Sequence, residues 1–114
     1  MMLEEIILEK LRALEIERET GNRRLMDIAK REEKINGEIK QLLEEDDVGR
    51  DLFSPRNANH DIKKLIAEKK VLLDDLQVEE LQVRAQIEQS SERVEQYQKV
   101  LLEYRKKEIG RAHV

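Results

Sequence analysis

The chain has 114 residues, of which 42% are charged and 39% hydrophobic, while only 3% are aromatic, with no Trp and a single Phe. So few bulky apolar groups cannot fill a thick, multilayered core, and the apolar residues must serve a thin seam instead. The net charge of −4 comes from 26 acidic and 22 basic side chains intermixed along the chain, which leaves no single-sign field for nucleic acid, and the absence of Cys excludes disulfides and thiolate metal sites.

The first predicted element is a helix over about residues 3–45. Its longest aliphatic run, Ile6-Ile7-Leu8, follows Glu4 and Glu5 and is far too short for a membrane span or a signal-peptide core. We therefore expect a cytoplasmic protein with no membrane insertion. Placing Ile7, Leu14, Gly21, Ile28, Ile35 and Leu42 at the d positions of a heptad puts Glu4, Leu11, Arg18, Leu25, Glu32 and Ile39 at a, and eight of these twelve are apolar.

A connection is expected over about 46–59 (DDVGRDLFSPRNAN), where Gly, Asp, Asn, Ser and the only Pro gather. Ser54 ahead of Pro55, or Asn57 or Asn59, are candidate caps, so the second helix is expected to begin between Pro55 and Asp61. That helix is assigned to about 60–109, with a flexible tail over 110–114. Its d positions are Ile62, Lys69, Leu76, Val83, Ser90, Tyr97 and Tyr104, its a positions Ile66, Leu73, Glu80, Ile87, Val94, Leu101 and Glu108, and ten of the fourteen are apolar.

A seven-residue repeat sustained this long predicts a left-handed supercoil, and Leu, Ile and Val at such regular spacing are not what a disordered chain requires. Neither helix is stable alone in water, so mutual burial must hold them. Similar lengths and one connection favour a single all-α domain over 1–114: a long antiparallel two-helix coiled-coil hairpin. A parallel homodimer is the alternative.

The seam has flaws at Arg18, Glu32, Lys69, Glu80 and Ser90. A register with Ile39 opposite Ile62 sets Glu32 against Lys69, a pairing that penalises slippage. Gly21 costs about 1 kcal/mol relative to Ala inside a helix and marks either a bend or a close approach of the partner helix.

No catalytic, cofactor-binding or metal-binding constellation stands out. His60 and His113 have no second His at helical spacing, and Glu44-Glu45-Asp46-Asp47 with Asp51 lacks the glycine and ligand alternation of a calcium loop. Without a phosphate loop or nucleophile elbow either, the chain reads as a non-enzyme with no cofactor. Two basic groups, Arg23-Arg24 with Lys30-Arg31 and Arg105-Lys106-Lys107 with Arg111, are either solvated faces or contacts. The second group also complements the negative end of a helix dipole. Leu52-Phe53, in the expected tip, is either a plug on the helix ends or an apolar contact for a partner, and Tyr97 and Tyr104 belong to the seam.

The runs MLEEIILEKLRALE, REEKINGEIKQLLEE and SSERVEQYQKVLLEYRKKE resemble, over most of the chain, the small coiled-coil stalk proteins of bacterial type III secretion and flagellar export, the FliJ/YscO/SsaO-like group. The resemblance implies a non-enzymatic stalk or adaptor. Its terminal end would enter the pore of a hexameric secretion ATPase and promote that enzyme's assembly or activity, and the opposite end would meet the export gate or secretion chaperones. It implies partner contacts at Arg12, Arg18, Arg105, Lys106 and Lys107. A coiled-coil chaperone or scaffold unrelated to secretion is the competing expectation, and a dimerising structural rod is a third.

Overall fold

Both helices form, and both are longer than the punctuation residues suggest. A computed structural model describes residues 2–51 and 56–112, with side chains described for 2–46 and 60–109. Helix α1 spans Leu3–Asp51 and α2 spans Arg56–Ala112, and there is no strand among the described residues. The fold is thus all-α, an antiparallel two-helix coiled-coil hairpin.

The connection expected over 46–59 is shorter than that, because 46–51 and 56–59 are helical, and 52–55 lie outside the described residues. Extending an existing helix adds one hydrogen bond per residue fixed, so a Gly or Asn near its end costs less than stopping would forfeit. Proline is a different case at about 3 kcal/mol, and the stretch between the helices is the one that holds it. Likewise α2 runs through residues 110–112, which were expected to be tail. Leu52 and Phe53, the expected tip contact, lie outside the described residues, as does His113.

The helices contribute to two compact units, unit 1 being Met1–Arg24 with Val83–Val114 and unit 2 Leu25–Gln82. In unit 1 the segments run antiparallel: Glu4 meets Arg105, Glu17 meets Ser90 and Gly21 meets Ile87. Its buried residues are Ile7, Leu14, Val83, Ser90, Val94 and Leu101. In unit 2 Ile28, Asp46, Ile39 and Ile66 are buried, and the Ile28 side chain is fully enclosed.

Asp46 continues the a series one heptad beyond Ile39, so every one of these buried residues sits on an a or d position. The remaining assigned seam positions among the described residues are partly buried, with the sole exception of Glu108. Each fully buried aliphatic side chain contributes about 1.5–3 kcal/mol, which makes this narrow seam the main source of stability in each unit.

The seam's polar members correct the expected register. In unit 2 Lys69 Nζ donates to Glu38 Oε2 at 2.5 Å, not to Glu32. Glu38 and Lys69 each stand fourteen positions from the stretch 52–55, so the pair is symmetric about the residues between the two helices. The register with Ile39 opposite Ile62 needs a reversal inside residues that α1 keeps helical. Glu32 Oε1 is consequently enclosed with no hydrogen-bond partner among the described residues. In unit 1 Ser90 Oγ donates to Glu17 Oε2 at 3.0 Å, which satisfies the buried hydroxyl.

Gly21 resolves toward close approach. A Cβ built on it would lie 2.6 Å from Ile87 Cγ1 and 3.0 Å from Ile87 Cδ1, so the isoleucine occupies the space that any larger residue would need. Beside it, Thr20 Oγ1 donates to the Ile16 carbonyl at 2.8 Å, a bond back to the preceding turn that competes weakly with the helix ladder. Gly37 has nothing within 4 Å of such a Cβ and carries no comparable role.

Candidate partner-binding site

The site is built where the start of α1 lies beside the late turns of α2 in unit 1. Glu4 and Glu5 occupy the first turn of α1, where carboxylates complement the positive helix end. Ile6 N donates to the Met2 carbonyl at 3.3 Å, which carries helical bonding back to residue 2. Across the pair, Arg105 Nε and Nη2 both donate to Glu4 Oε1, at 3.1 and 2.9 Å. The two side chains remain 54% and 37% exposed, so the pair sets the alignment of these turns while contributing at most about 1 kcal/mol.

Five of the first seven described residues are large and apolar: Met2, Leu3, Ile6, Ile7 and Leu8. Only Ile7 points into the seam, and it is buried. Met2, Leu3, Ile6 and Leu8 fall on the f, g, c and e positions, which lie on the remaining sides of the helix, and all four are exposed. On α2 the same end of unit 1 exposes Val100, Leu102 at 57% and Ile109 at 60%. Large apolar side chains exposed together at one end of a helix pair, beside Glu4 and Glu5, mark a contact surface for another molecule. By contrast, no large apolar residue is exposed over 82–99.

The basic residues are divided by the same geometry. Arg12, Lys106 and Lys107 are exposed. Arg105 is exposed too, but it is committed to Glu4. Arg18 sits on a seam position and is partly buried. Because α2 continues to Ala112, Lys106 and Lys107 stand more than a turn inside the helix end, where the dipole effect has largely decayed. Their placement therefore needs another reason. Of the other basic group, Arg24 is partly buried, Arg23 and Lys30 are exposed, and Arg31 Nε lies 3.3 Å from Asp27 along its own helix.

Sequence reasoning located the charged half of this site and overlooked the apolar half. Once a and d are assigned, an apolar residue at any other position is surplus to the seam. Leu3, Ile6, Leu8, Leu102 and Ile109 could have been picked out on that basis. No group of three or more His, Cys, Asp or Glu suited to a metal ion occurs among the described residues, and no described helix is long and apolar enough to cross a membrane.

No family model, curated protein or solved structure matches the chain.

Proposed function

We propose that the chain is a non-enzymatic cytoplasmic adaptor that works by seating the start of α1, together with the late turns of α2, inside a socket on another protein. The observation that carries this reading is the exposure of Met2, Leu3, Ile6 and Leu8, four large apolar side chains at four different positions outside the seam within the first turns of α1. Burial of those side chains supplies the affinity, and Arg12, Lys106 and Lys107 supply orientation and encounter rate at the rim. A socket that encloses a helix on several sides is what the pore of a ring-shaped assembly offers. The partner we assign is accordingly the hexameric export ATPase that the resemblance to secretion stalk proteins implies. An asymmetric helix pair in such a pore contacts the subunits unequally and so biases their nucleotide states.

The test is ATPase stimulation and binding stoichiometry with purified hexamer and chain. Lys106→Glu with Lys107→Glu, and separately Leu3→Asp with Leu102→Asp, should each reduce stimulation at least tenfold while far-UV circular dichroism stays unchanged, since all four side chains point away from the seam. Full stimulation by these folded variants refutes the proposal. Absence of ring binding, with one-to-one binding of a secreted client instead, selects the chaperone reading.

A further inference from the structure

Unit 2 carries a groove of about 410 Å³ along one side of its seam. Its floor is Ile35 and Leu76, its α1 wall carries Arg31, Lys34 and Glu38, the last held by Lys69, and its α2 wall carries Asp75 and Glu79. Leu72 lies on the α2 lip and is 51% exposed, and Leu65, one heptad earlier on the same line of the helix, is 45% exposed. Neither leucine is needed by the seam, since both fall on g positions. Arg31 also holds Asp27 at 3.3 Å, but that pair is about half exposed and weak, so the guanidinium can serve a second carboxylate.

With Glu38 neutralised by Lys69, Arg31 and Lys34 leave the α1 wall net basic against the acidic α2 wall, and that decides what fits. A second copy laid face to face, related by a two-fold axis parallel to the helices, puts its Arg31 and Lys34 over Asp75 and Glu79, and its own acidic wall over the first copy's basic one. Because α1 and α2 are antiparallel, the overlaid α1 and α2 are antiparallel as well. A two-fold axis across the helices would instead stack each wall on its own kind, which like-charge repulsion disfavours. We infer that this face of unit 2 is an isologous homodimer interface, in which Leu65 and Leu72 of both copies fill the centre of an antiparallel four-helix bundle flanked by Arg31 and Lys34 against Asp75 and Glu79.

Sedimentation equilibrium of the full chain at micromolar concentration tests this. The expected mass is about twice 13.5 kDa. Leu72→Glu should raise the dimer dissociation constant more than tenfold with helicity retained, because Leu72 lies outside the seam. The double variants Arg31→Glu with Lys34→Glu, and Asp75→Lys with Glu79→Lys, should each be monomeric alone and form a heterodimer when mixed. A monomeric parent chain overturns the inference, as does a dimer indifferent to Leu72→Glu. A mixture of the two charge variants that stays monomeric overturns the arrangement even if the parent dimerises.

Discussion

Replacing Gly21 by Ala sets two effects of known size against each other. In a helix interior the change gains about 1 kcal/mol of intrinsic propensity, and nothing else would matter at an open site. Here the new Cβ meets Ile87 Cγ1 at 2.6 Å and Cδ1 at 3.0 Å. Cγ1 is the nearer atom and stands next to the Ile87 backbone, so relief requires a rotamer change or a shift of α2, and overpacking of this kind costs about 1–3 kcal/mol. The net expectation is a loss of about 1 kcal/mol, or a fall in Tm of about 4 °C for a chain of this size.

Ile87→Ala removes both clashing atoms and costs about 2–4 kcal/mol by itself. In that background the nearest remaining neighbour of the Cβ is Val83 Cγ1 at 3.7 Å, an ordinary contact, so Gly21→Ala should now stabilise by its full propensity gain of about 1 kcal/mol. The sign reversal corresponds to a coupling of about 2 kcal/mol. Urea melts of the four chains followed by far-UV circular dichroism measure it. If Gly21→Ala stabilises equally in both backgrounds, α2 does not approach Gly21 closely and the packing of unit 1 described above is wrong.

Glu32→Leu should raise stability by about 1–2 kcal/mol in thermal melts, because it removes an enclosed carboxylate oxygen without a hydrogen bond and returns an apolar group to the seam. Lys69→Glu should destabilise unit 2, and adding Glu38→Lys should recover part of the loss; recovery by Glu32→Lys instead would restore the register rejected here. The hydrogen bond from Lys69 is the main cause that holds the Glu38 carboxyl below the usual value of 4.5; desolvation opposes it, and the charges of Lys69 and Lys34 add to the lowering. A folded-state value lowered in this way contributes stability above the unfolded value near 4.5, which is lost as pH falls through it and then through the folded value. Glu38→Gln should therefore flatten the decline in urea midpoint between about pH 5 and pH 3, and an unchanged decline would mean that the Lys69 bond does not persist in solution.

Legibility differed by element. The heptad assignment located Ile7, Leu14, Ile28, Ile39, Ile66, Val83, Val94 and Leu101 as core without reference to any structure, since a repeat of seven admits only one apolar stripe per helix. Helix ends were less legible. The stretch 46–59 reads as a connection and Asn57 or Asn59 as a cap, yet 46–51 and 56–59 are helical, because the cost of one poor helix former is smaller than the bonds gained by continuing past it. The candidate site was half legible: Arg12, Lys106 and Lys107 announced themselves as charges, while Leu3, Ile6 and Leu8 merged with the general aliphatic background of an amphipathic helix.

Composition and period, then, determined that this chain makes two long helices joined along a thin aliphatic seam, because spacing along one helix is a local property that the residues alone define. Which residue of α1 meets which residue of α2 is not local. Several registers one heptad apart bury equally apolar stripes, and the choice fell to the place where the chain reverses in unit 2 and, in unit 1, to the match of Gly21 with Ile87. Only the tertiary structure could show that Lys69 goes to Glu38, that Ile87 fills the space beside Gly21, and that Met2, Leu3, Ile6 and Leu8 remain uncovered.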